Sequence, residues 1–191
     1  MLRKVVLIVL LSVSSLLAVN KAMLNISDLD VEVGVDFDLG QFQEDYAIDT
    51  YFMGFNFIDT NDGEGNSLVA GNFIVINDIP EREDARLGFG LKVVSTSLGT
   101  ESFLAAALGA VLDYSISDEN PTYWKTKAFY APGALSFQDA RAYFEVRTGI
   151  HSEPIENVRV FFEGRSIHTS YKVQSRKTFN ETFYGGIEIG F

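Results

Sequence analysis

Phe183-Tyr-Gly-Gly-Ile-Glu-Ile-Gly-Phe191, the last stretch of the chain, decides its fold class. In an extended strand successive side chains point to opposite faces, so Phe183, Ile187 and Phe191 share one face while Glu188 lies on the other. A barrel in a membrane closes its last strand onto its first and turns the apolar face of both toward lipid. A terminal strand that is apolar on one face and ends on an aromatic residue therefore predicts a closed membrane β-barrel.

The rest of the chain repeats this alternation. Apolar side chains take most of the alternate positions in several further runs, and charged residues, glycine or asparagine take most of the positions between them. The runs cover residues 31–39, 51–57, 69–75, 87–93, 142–150 and 158–162. Short alternating runs separated by turn residues are typical of antiparallel barrels. We therefore predict an all-β fold, an antiparallel up-and-down transmembrane β-barrel of 8–10 strands.

Two points of this prediction depend on local choices. Residues 101–114 are rich in alanine, which favours helix, but Leu104, Leu108 and Leu112 also belong to an unbroken outward row, and a lone helix would interrupt the meander. We predict a strand there. A bacterial barrel with both termini in the periplasm needs an even number of strands. Nine runs follow from Leu29 onward, so either residues 24–27 form an extra strand, which gives ten, or two runs merge, which gives eight.

Alternation alone does not say which face meets water. A soluble, lipocalin-like periplasmic barrel has an apolar interior that binds a ligand, whereas a membrane barrel has apolar rows outside and polar residues inside. The apolar rows here are nearly complete, glycine and charged residues share the other rows, and aromatic residues such as Tyr114 and Trp124 stand near the ends of runs, as in an interfacial girdle. These features favour the membrane barrel.

With that choice, several charged residues are predicted to point into the lumen, namely Asp30, Glu32, Asp36, Asp38, Arg141, Glu145, Arg147, Arg159, Glu163 and Arg165. Buried charges must be paired or hydrated. We predict ion pairs that fill most of the lumen, as small barrels tend to be filled. The alternative is a charged constriction that selects permeant ions.

Composition excludes some functions. The formal net charge of −11 argues against nucleic acid as a partner, because little would neutralise phosphates. The chain has no cysteine, so it forms no disulfide and carries out no thiolate chemistry. Residues 1–22 read as a cleaved secretory signal with Arg3 and Lys4 before an apolar core and Ala22 at the cleavage site, the alternative being an uncleaved anchor. The predicted domains are a signal peptide at 1–22 and an outer-membrane barrel at 23–191.

The chain has two histidines, His151 and His168, that are candidates for a catalytic role. The spacing of His168 and Ser170 resembles the pair in outer-membrane lipid A deacylases, where an imidazole base activates a hydroxyl for acyl transfer. The surrounding residues differ from that family, so a solvated histidine at a loop edge is the competing interpretation. His151 is predicted to lie at a turn without a special role. Residues 59–66 depart from the calcium-loop spacing and read as a hairpin turn. We predict no catalytic residue, cofactor or metal.

Residues 127–145 carry a resemblance to a known family. They contain Tyr130-Ala-Pro132 followed by Leu135-Ser-Phe137 and an acidic residue, Asp139. This segment resembles the YfaZ family of bacterial outer-membrane proteins, and the resemblance implies an outer-membrane barrel with no catalytic residues to transfer. Pro132 and Gly133 are expected to stop a strand, and Leu135 and Phe137 to pack the connection.

The sequence thus predicts an exported, porin-like barrel of the bacterial outer membrane with a structural or interaction role and limited passage of small solutes. Its expected partners are outer-membrane lipid and the barrel-insertion machinery, which the C-terminal strand ending at Phe191 engages. The barrel is expected to be a monomer. The other hypotheses are a lipid acyl hydrolase that uses His168 and Ser170, and the periplasmic ligand-binding barrel.

Overall fold

The computed structural model describes residues 20–39, 50–60, 66–98, 101–117, 119–172 and 177–191. They form eleven strands: β1 Asn20–Ile26, β2 Asp30–Asp38, β3 Thr50–Thr60, β4 Ser67–Ile79, β5 Arg82–Leu98, β6 Glu101–Ser117, β7 Thr122–Ala131, β8 Ser136–Gln138, β9 Ala140–Ile155, β10 Val158–Tyr171 and β11 Lys177–Gly190. Residues 1–19 of the predicted signal lie outside the described residues, as do residues 61–65 of the predicted hairpin turn. Within the described part of the chain, no helix is long and apolar enough to cross a membrane.

The strands form one closed antiparallel barrel. Apart from the short β8, each strand pairs with its neighbours in the chain, and β7 pairs with β9. Strand β1 pairs with β11 from Lys21 opposite Gly190 to Ile26 opposite Gly185, which closes the sheet. Strands β7 and β8 both pair with β6 and run in the same direction, so they occupy one position in the wall, which has ten positions. The prediction of an all-β up-and-down barrel is confirmed. The count is ten because residues 24–27 contribute to β1.

The interruption between β7 and β8 follows from Pro132. Proline has no backbone N–H to donate to a ladder, and its carbonyl instead accepts the N–H of Leu135 at 2.9 Å and the hydroxyl of Ser136 at 3.0 Å. A single 3-10 turn, Gly133–Leu135, fills the gap before pairing with β6 resumes. Leu135 packs against the interior as predicted, whereas Phe137 points outward and is exposed, so the prediction that it packs the connection is wrong.

Residues 101–114 are strand, as predicted. In β6, Leu108 and Leu112 point outward and are exposed, while Phe103, Ala105 and Ala107 are fully buried in the interior. The small side chains of this inward row leave room for larger ones from neighbouring strands. Gly109 shows the closest approach, because an added Cβ there would lie 2.3 Å from the ring of Phe129. The inward alanines of β6 therefore occupy little of the barrel interior.

The outer face of the barrel is apolar. Large apolar side chains on almost every strand are exposed, among them Phe55, Phe73, Phe89, Leu108, Phe162 and Phe183. The exposed fraction reaches 65% for Phe89 and 70% for Phe183. Most of the charged residues of the alternating rows lie on the inner face, where Glu32 is fully buried and Arg165 nearly so. The polarity is thus inverted relative to a water-soluble barrel.

The interior is divided along its length. We call the end where β1 begins and β11 ends the terminal end, and the other the distal end. The distal half is filled by side chains that include Ile58, Leu68, Phe103, Tyr143 and Tyr171. The ring of Phe103 lies 5.4 Å from that of Tyr171 and 6.1 Å from that of Tyr143. Charged side chains occupy the centre and the terminal half.

Candidate functional site: the charged lumen

Glu32 of β2 is the centre of the charged cluster. Its two oxygens accept hydrogen bonds from Nη1 of Arg147 at 2.9 and 2.8 Å, and one of them also accepts from Nη1 of Arg165 at 2.6 Å. Asn25 and Asn56, on the two strands that flank β2, donate to it at 2.9 and 3.2 Å. A carboxylate without water contact is therefore held by two guanidinium groups from the opposite wall, β9 and β10.

The cluster extends from Glu32 in two directions. Along β9, Glu145 accepts from Nε of Arg147 at 2.5 Å, from Lys92 of β5 at 2.5 Å and from the hydroxyl of Tyr143 at 2.6 Å. On the other side, Arg165 donates to Asp30 at 2.5 Å and to Asn180 at 3.2 Å. Strands that are far apart in the sequence are thus connected through the lumen, and the side chains that connect them occupy its centre.

Most of the charged residues predicted to face inward do so. Asp30, Glu32, Glu145, Arg147, Glu163 and Arg165 are buried, and Asp36 and Arg159 line the terminal half of the lumen. Arg141 is an exception: it lies at the distal rim, where its side chain is exposed, so its assignment to the inner ion pairs is wrong. Asp38, at the end of β2, is partly exposed.

Sequence reasoning missed the inward row of β7. Lys125 and Lys127 point into the lumen between Tyr123 and Phe129, and Lys125 lies 3.5 Å from Asp113. The alternation of these four residues could have predicted this inward row. It was missed because the outward residues of β7 include threonine and tryptophan beside alanine, so the outward row is only weakly apolar. Lys92, whose ion pair with Glu145 is buried, also belongs to the lumen.

His151 lies in β9 and faces the lumen, so its assignment to a turn is wrong. Its Nε2 is 2.6 Å from Oε1 of Glu163, and the other oxygen of Glu163 accepts the hydroxyl of Tyr184. The imidazole stacks on Phe161 with ring centres 4.8 Å apart. The carboxylate and the aromatic ring together fix the orientation of the histidine. This arrangement makes His151 part of the polar wall of the lumen.

The terminal half of the lumen contains a cavity of about 210 Å³. Its deep side is the cluster of Lys92, Glu145 and Arg147, and it reaches the rim near Lys21. Arg159 at this level donates to Glu188 at 3.0 Å and to Glu153 at 3.1 Å, and Lys21 lies 3.5 Å from Glu188. We call this cavity the vestibule. Its wall combines apolar side chains with charges of both signs.

His168 and Ser170 lie on the outer face of β10, not in the lumen. The alternation of β10 sends Arg165, Ile167 and Thr169 inward, and these are buried. Nε2 of His168 lies 3.0 Å from the hydroxyl of Ser166, and its ring stacks on that of Phe144, 6.4 Å between centres. The serine found next to the imidazole is thus Ser166, two residues before the histidine, in a region of the outer face that is less apolar than the rest.

Among the described residues, no group of three histidine, aspartate or glutamate side chains is placed to hold a metal ion. Most of the charges of the lumen are instead arranged in pairs of opposite sign. No protein-family model and no curated protein matches this sequence.

Proposed function

We propose that this protein is a barrel of the bacterial outer membrane with a structural or interaction role and a lumen that passes small solutes only to a limited extent. The observation that carries the proposal is the polarity of the wall, which is apolar outside and charged inside. In water, an exposed apolar surface that surrounds the whole molecule is unfavourable. In a bilayer the same surface contacts hydrocarbon, and closure of the sheet satisfies the backbone hydrogen bonds.

The soluble alternative, a lipocalin-like barrel, is disfavoured by the residues at the centre of the lumen. Such a barrel would bury its apolar rows and bind a ligand among them. Here Glu32, Arg147 and Arg165 meet across the interior at hydrogen-bonding distance, and the apolar rows are outside. The filled distal half and this cluster also support limited passage, because they leave little open space along the axis.

The partners of the barrel follow from the same placement. Strand β1 begins and strand β11 ends at the terminal end of the barrel, which we assign to the periplasm. The vestibule opens on that side. The strand that ends at Phe191 is proposed to engage the barrel-insertion machinery, lipid surrounds the outer face, and the barrel is a monomer. A signal at residues 1–22 would export the chain, although Asn20, Lys21 and Ala22 already belong to β1. The resemblance to the YfaZ family agrees with this location.

The test of this proposal is membrane fractionation combined with gel migration. We expect the mature chain in the outer-membrane fraction, and we expect an unboiled sample to migrate differently from a boiled one, because a closed barrel resists mild detergent until it is heated. Recovery of a water-soluble periplasmic protein would overturn the membrane proposal and make the lipocalin-like barrel the better one.

A second candidate is a lipid acyl hydrolase, favoured by the contact between Ser166 and His168 on the outer face. A hydroxyl beside an imidazole is the pair that nucleophilic acyl transfer uses, and in this arrangement Ser166 replaces Ser170 of the sequence-based hypothesis. This candidate predicts that production of the wild-type barrel releases fatty acid from outer-membrane lipid and that His168→Ala abolishes the release. Ser166→Ala and Ser170→Ala would then identify the nucleophile. Unchanged lipids in cells that produce the wild type would exclude it.

A further inference from the structure

The cationic residues of the vestibule are not balanced by its carboxylates. Among the described residues that line the cavity, seven carry a lysine or arginine side chain and five carry a carboxylate. The chain as a whole has the opposite imbalance, with a net charge of −11. Three of these cations are paired with carboxylates behind the lining, Arg86 with Asp78, Arg147 with Glu32 and Arg159 with Glu153. An anion site in this cavity therefore requires a cation that has no such partner.

Three of the cations of the lumen lie side by side across the sheet. In the ladder, Lys127 of β7 is directly opposite Arg147 of β9, and Arg147 is directly opposite Arg165 of β10. Like charges at directly opposite positions destabilise a sheet unless other groups compensate them. Arg165 is compensated fully, by Asp30 and Glu32. Arg147 is likewise held by two carboxylates, Glu32 and Glu145, whereas Lys127 forms no ion pair with a described carboxylate.

Lys127 has unused hydrogen-bonding capacity at the cavity, and Arg147 has one unused donor that is buried behind it. Nη1 and Nε of Arg147 bind Glu32 and Glu145, but its Nη2 is buried and has no hydrogen-bond partner, and the side chain as a whole is more than nine-tenths buried. No described carboxylate lies within 4.0 Å of the ammonium group of Lys127. Both residues line the vestibule. Lys127 thus faces the cavity without an ion pair, and the adjacent Arg147 adds its positive charge, while its unpaired Nη2 lies buried behind the lining.

We propose that the vestibule binds a small oxyanion, a phosphate or carboxylate group, at Lys127, beside Arg147. The ammonium group of Lys127 donates to the anion, the neighbouring guanidinium contributes its positive charge, and charge-assisted hydrogen bonds of this kind are the strong ones. The bound anion offsets the repulsion between the two cations. The cavity is large enough for a small organic acid or a phosphate ester. The site is a property of the lumen and does not depend on the membrane in which the barrel resides.

Asp36 is the residue of the chain that could pair with Lys127 in place of a bound anion. Its carboxylate also lines the vestibule, and no described cation lies within 4.0 Å of it. If Asp36 were the true partner of Lys127, removal of either charge would weaken the folded barrel. If an external oxyanion is the partner, Asp36 only repels the ligand. The two possibilities therefore predict opposite effects of the same substitutions.

The test uses the full-length barrel folded in a zwitterionic detergent, with inorganic phosphate and succinate as probes and choline as a cationic control. We expect phosphate, succinate or both to raise the unfolding temperature of the wild type, since a ligand that binds only the folded state stabilises it, and choline to have no effect. The stronger of the two anions distinguishes phosphate from carboxylate recognition. Absence of stabilisation and of calorimetric binding by both anions would overturn the proposal.

Three variants make the assignment specific. Lys127→Met is expected to weaken anion binding by about ten- to a hundred-fold, the effect of losing one hydrogen bond between charged groups, while the anion-free barrel unfolds at the same or a higher temperature. Asp36→Asn is expected to tighten binding. Lys172→Met, at an exposed lysine of the distal end, is the matched control and should bind as the wild type does. A lower unfolding temperature of anion-free Lys127→Met, or equal losses of binding in Lys127→Met and Lys172→Met, would contradict the proposal.

Discussion

Glu32→Gln is expected to destabilise the folded barrel by about 3–5 kcal/mol, the cost of removing one partner from a buried ion pair. The substitution keeps the size of the side chain but removes the charge that holds both Arg147 and Arg165. Arg147 then keeps only Glu145, and Arg165 keeps only Asp30, so one negative charge fewer serves the same buried cations. Because Glu32 is fully buried, water cannot replace the lost carboxylate without entering the lumen.

The measurement is the urea unfolding of the barrel in lipid vesicles. The folded fraction at each urea concentration is read from the gel mobility of the unboiled sample. Glu119→Gln, at an exposed position of the turn between β6 and β7, is the matched control and should change stability by less than about 0.5 kcal/mol. The double variant Glu32→Gln/Arg147→Met should recover part of the loss, because it removes a cation together with the carboxylate and leaves Glu145 paired with Lys92. A Glu32→Gln barrel as stable as the control would show that the central cluster does not hold the walls together.

The same variant tests the filled lumen. In planar bilayers we expect the wild-type barrel to give no large, stable open steps, because the distal half is packed with aromatic and aliphatic side chains and the centre with ion pairs. Glu32→Gln is expected to give more frequent small fluctuations without a large step, since the distal packing is unchanged. Large stable steps in the wild type would favour the charged, ion-selective constriction instead.

The parts of the fold that could be predicted depend on local periodicity. The alternation from Val31 to Phe37 or from Leu104 to Leu112 can be recognised from residues that are close together in the sequence, because a strand turns successive side chains to opposite faces. Such rows, with the apolar end at Phe191, were sufficient for an antiparallel barrel and for most of the inward charges. Periodicity also distinguished strand from helix in β6, where alanine propensity alone would have favoured a helix.

The parts that could not be predicted depend on contacts between distant strands. Glu32 and Arg165 are 133 residues apart, and only the stagger of the closed barrel brings them together. The end of β9 was also predicted wrongly. Turn residues around Pro154 suggested a turn near His151, but β9 continues to Ile155 and the chain reverses at Asn157, which has a positive φ of 63°. Pro154 is tolerated because β9 extends beyond its pairing with β7 there, which ends at Ser152.

Leu108→Arg should distinguish a barrel in lipid from a barrel in water more directly than any change inside the lumen. Leu108 is the central residue of the outward row of β6, and its side chain is 60% exposed. At the middle of a bilayer an arginine on the lipid face costs about 2–4 kcal/mol. On the surface of a soluble protein the same change would stay within about 0.5 kcal/mol, because surface substitutions seldom do more. The membrane proposal therefore predicts a clear loss of stability in vesicles, measured by urea unfolding.

Ser102→Arg provides the control, because Ser102 lies on the same outward row near the distal end of β6 and is exposed. Near the interface an arginine costs only about 0–1 kcal/mol, so the same introduced side chain is compared at two depths of the outer face. A Leu108→Arg barrel as stable as Ser102→Arg and more soluble in buffer would mean that the apolar rows do not contact lipid. In that case the exposed apolar surface would have to be covered by another protein, since the charged lumen offers it no place inside the barrel.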